Sequence, residues 1–81
     1  MKVHIKYFAS IRESLGVASE SLETGAADLA GLRDALTQRK GGEVLARGRA
    51  VRMALNQVMC EEHAALTEGC EVAFFPPVTG G

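Results

Sequence analysis

The chain has no tryptophan, two cysteines, two prolines and only 5% aromatic residues. Two cysteines cannot supply the disulfide framework of a small secreted domain. Cys60 and Cys70 stand ten positions apart, with His63 between them and His4 remote, so the paired spacing of a zinc site is missing. Either thiol could carry sulfur as a persulfide, but Cys70 falls in an apolar stretch where an inert, buried cysteine is the simpler reading. No apolar run approaches the roughly 18 residues that a membrane span requires. No charged-then-apolar leader follows Met1, which makes the cytoplasm the expected location. The net charge of −1 gives no bulk attraction to nucleic acid or to anionic lipid. Gly41, Gly42 and Gly48 lack the Gly-Lys-Ser/Thr ending of a phosphate-binding loop. Arg39, Lys40, Arg47, Arg49 and Arg52 crowd around the Gly41 to Arg52 stretch, but no aromatic platform is interleaved, so they read as a solvated face.

What is present describes one small domain. At 81 residues, 47% hydrophobic and 23% charged, the chain can bury only about 60% of its unfolded surface in a single core. Val3, Ile5 and Tyr7 alternate with His4, Lys6 and Phe8, the pattern of a strand with one buried face. Ser10 and Glu13 have capping-box spacing, and Ile11, Leu15 and Gly16 then predict a short helix and its stop. Val17 to Glu23 predicts a second strand. Asp28 is placed to cap a helix whose Leu29, Leu32, Ala35 and Leu36 recur at helical spacing, with Arg33, Asp34, Gln38 and Arg39 facing outward. Gly41-Gly42 is expected to end that helix, with Arg39 and Lys40 in its last turn. Val51, Met53 and Leu55 predict a third strand that turns at Asn56-Gln57 into a short strand at Val58-Met59. Glu68-Gly69 is a turn before a last strand, Cys70 to Phe75.

One long helix among strands argues for an α+β domain, a ubiquitin-like β-grasp with a mixed sheet of four to five strands and the first and last strands paired at its centre. That pairing places Phe8 and Phe75 together on the face away from the helix, with Met59 able to join them and Arg12 at the rim. Exposed aromatics of this kind mark either a partner surface or a cover under a loop.

The domain is expected to span residues 1–75 and to release residues 76–81 as an extended tail. Pro76 and Pro77 fix φ and remove two donors, so neither strand nor helix continues through them. From Pro76 to Gly81 the chain can extend roughly 20 Å. Gly80 and Gly81 lack Cβ atoms and can pass a narrow channel. Val78 and Thr79 complete a run without a charged side chain that ends in the expected free carboxylate of Gly81.

The ending Phe74-Phe75-Pro76-Pro77-Val78-Thr79-Gly80-Gly81, with Leu66-Thr67-Glu68-Gly69, Glu71-Val72-Ala73, Tyr7-Phe8-Ala9 and Ile11-Arg12-Glu13, resembles the small subunits of molybdopterin synthase, a family of ubiquitin-like sulfur carriers. The resemblance spans the chain. It implies that Gly81 is adenylated with ATP by an activating (MoeB-like) enzyme, then converted to a thiocarboxylate by a sulfur donor such as a cysteine desulfurase or a rhodanese-like protein. It further implies a larger (MoaE-like) subunit, in a heterotetramer, whose pocket admits Pro76 to Gly80 and supplies a catalytic lysine. Two sulfurs then pass to precursor Z, cyclic pyranopterin monophosphate, to form the molybdopterin dithiolene. The small subunit would bind no cofactor or metal itself and would not be catalytic alone. A terminal Gly-Gly is shared with the sulfur carrier of thiamine synthesis and with ubiquitin-like modifiers conjugated through their last glycine, and these are the alternatives.

Overall fold

A computed structural model of the chain describes residues 1–46 and 50–77. Strands β1 (Lys2–Tyr7), β2 (Ser19–Glu23), β3 (Arg52–Leu55), β4 (Val58–Cys60) and β5 (Glu71–Phe75) form one sheet in the order β2-β1-β5-β3-β4. Helices α1 (Ala9–Leu15) and α2 (Leu29–Thr37) and a 3₁₀ turn at Gly42–Leu45 complete the described elements. β1 and β5 run parallel in the middle, and every other pairing is antiparallel. This is the expected ubiquitin-like β-grasp.

The alternation in β1 sets the layers. Val3, Ile5 and Tyr7 are buried with Val72 and Phe74 of β5 against Leu29, Leu32 and Leu36 of α2. Full burial of a side chain of this kind is worth about 1.5–3 kcal/mol. Asp28 caps α2 as expected, its side chain accepting from the Gly31 N–H at 2.9 Å. Gly16 ends α1 in the left-handed conformation, φ 79°.

Several local expectations are corrected. The Ser10–Glu13 capping box does not form: Phe8 is the extended N-cap of α1 and no side chain caps it, because β1 runs straight into the helix and leaves Ser10 already inside. The second strand begins at Ser19, not Val17, which is 40% exposed. Cys70 precedes β5 rather than opening it. Arg39 and Lys40 lie beyond α2, which ends at Thr37 as the chain tightens into three-residue bonds, Gln38 N–H to the Ala35 carbonyl and Arg39 N–H to that of Leu36. Ala35 is exposed and Arg33 buried at 6% exposure, the reverse of the expected faces. The 3₁₀ turn explains the exchange. It folds over that side of α2, and Arg33 satisfies its end by donating Nε to the Leu45 carbonyl and Nη2 to that of Ala46.

Gly41 and Gly42 do not end α2 as expected, since its C-cap is Gln38; they serve a close approach instead. A Cβ on Gly41 would overlap the Ser14 carbonyl, and one on Gly42 that of Leu36. The chain thus passes backbone against backbone between the ends of α1 and α2, which only glycine permits.

Candidate functional site

The outer face of the sheet carries the candidate surface. Cross-strand register aligns Phe75 with Arg52 in one row, and Lys6, Ala73, Ala54 and Met59 in the next. Phe8, the residue after β1, and Phe75, the last of β5, meet edge to face, with ring centroids 6.3 Å apart and planes at 86°. Phe8 is 45% and Met59 54% exposed. Between them the floor is low, because the paired positions on β5 and β3 are alanines, and Ala54 is buried although it faces outward. Lys6 Nζ and Glu71 Oε1 pair at 3.1 Å beside the floor. Exposed pairs of this kind contribute about 0.2–1 kcal/mol. Arg12 is exposed on α1, four residues after Phe8.

The opposite faces of the same strands explain why the aromatic pair sits where it does. Tyr7 and Phe74 stack in the core, with centroids at 6.3 Å and planes at 15°, and the Phe8 N–H donates to the Phe74 carbonyl at 3.1 Å. Ala9 takes φ 51°, a left-handed value that costs a non-glycine residue about 1 kcal/mol, and turns the chain into α1 directly after Phe8. The Tyr7 hydroxyl donates to Glu20 Oε2 at 2.7 Å, and Arg39 Nη1 donates to the same oxygen at 2.6 Å. Burial alone would push the Glu20 carboxyl up, but the hydrogen bonds from Arg39 and Tyr7 outweigh it and hold the carboxyl below its ordinary value. The Tyr7 phenol is raised, chiefly by burial and then by Glu20.

Pro76 and Pro77, half-buried, follow β5 without secondary structure. Val78, Thr79, Gly80 and Gly81 lie outside the described residues, as do Arg47 and Arg49 of the basic stretch. Phe8, Phe75 and Met59 therefore share one face by register, and Phe75 stands at the root of the tail. Nothing in the sequence alone singles out Lys6, Glu71 and Ala54. The alternation that pairs Lys6 with Phe8 on one face was the available signal, and it needed the register to become specific.

A groove of about 530 Å³ borders this surface, lined by residues that include Arg52, Met59, Cys60 and Glu62. Burial pushes the Cys60 thiol up, which leaves less of the nucleophilic thiolate that persulfide chemistry needs. Cys70 is buried in the core. Among the described residues, no group of three or more His, Cys, Asp or Glu could hold a metal ion, and no helix is long and apolar enough to cross a membrane.

The model of the ThiS family matches residues 5–81. The molybdopterin synthase sulfur carrier subunit of Haemophilus influenzae is 37% identical over 81 residues, 98% of this chain and 99% of that protein. Among solved structures, SAMP1 from Haloferax volcanii, a small archaeal modifier protein, has a TM-score of 0.80 at 25% identity, over the whole of both chains. A chain from the complex of subunits 1 and 2 of the molybdopterin-converting factor of Helicobacter pylori has a TM-score of 0.72 at 27% identity, again over 100% of each.

Proposed function

The chain belongs to the ThiS family, and from that membership we propose that it is the sulfur-carrier subunit of a molybdopterin synthase. One observation supports the reading: the family match runs through Gly81 while β5 ends at Phe75, so that the Pro-Pro-Val-Thr-Gly-Gly segment comes after the last strand in the sequence. The relative from H. influenzae bears the sulfur-carrier name at full length.

The chemistry follows from the terminus. A carboxylate with a pKa of about 3.3–3.7 is ionised at neutral pH and is a poor electrophile. Activation places Gly81 in a mixed anhydride with AMP, releasing pyrophosphate from ATP. The outer sulfur of a persulfide donor then displaces AMP from the carbonyl carbon to give an acyl disulfide, and a second thiol attacks the donor's own sulfur, leaving a disulfide there and releasing the thiocarboxylate on Gly81. That anion is a soft nucleophile, as a thiolate is, and attacks an activated carbon of the precursor pterin. The domain holds and aims the tail, and the larger subunit supplies the pocket and the proton transfers. Phe8, Phe75 and Met59 form the contact face, with Arg12 at its rim. The domain ends at residue 75 and the tail comprises residues 76–81. The complex is a heterotetramer, the setting is the cytoplasm, and this chain needs no metal or cofactor of its own.

The likeness to SAMP1 favours a second reading, a modifier joined to lysines through Gly81. Intact mass separates the two. Incubation with the adenylating enzyme, ATP and a sulfur source should add the oxygen-to-sulfur increment at Gly81. Absence of that increment, with branched peptides bearing this Gly-Gly recovered from native cells, would replace the first reading by the second.

A further inference from the structure

We propose that the free edge of β4 is a strand-addition site, where an extended segment of the larger synthase subunit pairs with the backbone of Met59. The proposal rests on the sulfur-carrier reading, since it describes how the partner that receives the tail also grips the sheet.

The two edges of the sheet differ in chemistry. β2 presents Ser19, Ser21 and Glu23 on its outer face, polar groups that discourage pairing. β4 presents Val58 at 66% and Met59 at 54% exposure, and its three residues include no lysine, proline or other charge of the kind that blunts an edge. The alternation of strand side chains sends Met59 to the face of Phe75 and Val58 to the other. An added strand would therefore cover apolar surface on both sides.

The backbone is also available there. Asn56 and Gln57 have φ 50° and 68°, the two positive values of a primed two-residue hairpin turn. In such a hairpin the flanking pair, Leu55 and Val58, exchanges hydrogen bonds, as does the pair Met53 and Cys60. Met59, between them opposite Ala54, directs its N–H and C=O away from β3 and toward the open edge. Ala54 meanwhile is paired with Ala73 of β5 on its other side.

The occupant follows from position. Met59 ends the row Lys6, Ala73, Ala54, Met59, so the edge is continuous with the Phe8 and Phe75 surface at the root of the tail. The groove of about 530 Å³ runs beside it, with Cys60, Glu61 and Glu62 next along the chain. One partner seated on the aromatic pair reaches this edge with an extended segment carrying an apolar side chain over Val58. β4 is three residues long, so the pairing is brief: it fixes orientation, while the tail and the aromatic face supply most of the affinity.

The test is amide hydrogen exchange, residue by residue, on the intact chain alone and in complex with its large subunit. Binding should slow exchange at Met59 at least tenfold. An amide-to-ester replacement at Met59, which deletes its donor and weakens the Val58 carbonyl as an acceptor, should weaken the complex by about tenfold, the effect of one hydrogen bond. Thermal melts should show both the wild-type and the ester protein folded at the assay temperature. Unchanged exchange at Met59 in a complex that protects neighbouring amides, or unchanged affinity of the ester, overturns strand addition. If Gly81 still acquires sulfur in that case, the carrier function stands without it. Failure of the wild-type chain to bind the large subunit overturns both. Protection of Met59 that rises with concentration of the chain alone assigns the edge to a second copy and also overturns the proposal.

Discussion

Replacing Phe75 with alanine should cost little in the isolated domain and much in the complex. Phe75 is half-buried, and its described ring contact is the edge-to-face pair with Phe8, itself 45% exposed. Such a pair is worth about 0.5–1.5 kcal/mol beyond area burial. With part of the ring still in water, truncation should lower folding stability by about 1–2 kcal/mol. Phe74 provides the contrast within the same strand. It is fully buried and stacked on Tyr7, so Phe74→Ala should cost about 3–5 kcal/mol. On binding, Phe75 and Phe8 lose their remaining water together, and truncation of an interface anchor costs about 2 kcal/mol or more, roughly a 30-fold weaker complex. Denaturant melts of the free domain and calorimetric titration with the large subunit measure the two quantities separately. A Phe8→Ala arm closes a double-mutant cycle, in which the folding coupling should be close to the value of the ring pair. A stability loss above about 3 kcal/mol combined with binding within threefold of wild type would refute the argument and assign Phe75 to the core.

Three further outcomes are expected. Glu20 is held below its ordinary value of 4.5, so its contribution to stability is present above that pH and is lost as pH falls through the lower folded value; Arg39→Gln should reduce stability at neutral pH and flatten this acid decline, read from melts between pH 3 and 7. Gly42→Ala forces a Cβ onto the Leu36 carbonyl and should cost about 1–3 kcal/mol as an overpacked contact, measured by urea unfolding, with no change in sulfur loading of the folded fraction. One residue appended after Gly81 should leave the melting temperature unchanged and abolish sulfur transfer; normal synthase activity from a confirmed, unprocessed extension would sink the terminal-carboxylate mechanism.

The sheet was legible because its signals are local and mutually consistent. Val3-Ile5-Tyr7 alternates, Asp28 caps, and β5 is apolar from Val72 to Phe75. The helix faces were less legible. Arg33 carries the strongest outward signal a sequence can give, yet it is buried, because its partners are carbonyls of Leu45 and Ala46 in a turn that hydrophobic periodicity does not announce. Gly41 and Gly42 carry the signal of a helix stop, whereas their actual role depends on carbonyls of Leu36, close by in the chain, and of Ser14, remote in sequence. The candidate surface lay between these cases. Phe8 and Phe75 were placed on one face by alternation once β1 and β5 were paired, whereas the Ala54–Ala73 floor and the Lys6–Glu71 pair required the actual register. Edges and registers are set by long-range pairing, and a single-residue slip would have reversed every face.

Rooting the tail on β5 has an energetic consequence. β5 is paired with β1 on one side and β3 on the other, and the Phe8 N–H fixes the Phe74 carbonyl at 3.1 Å. The position and direction of Phe75 are therefore set by two neighbours, and Pro76 and Pro77 each have one backbone torsion already restricted. Under the proposed reading, a partner that accepts the C-terminal segment fixes the backbone of Val78 to Gly81 in its pocket. At about 1–2 kcal/mol of backbone entropy per residue, those four cost roughly 4–8 kcal/mol. A tail rooted on an edge strand as short as β4 would add residues to that sum. Offsetting it requires several kcal/mol from outside the tail, which is the scale of two aromatic anchors at about 2 kcal/mol or more each. Under the proposed reading the aromatic pair and the C-terminal segment work as one binding unit, and losing either should abolish productive assembly more completely than its separate contribution predicts.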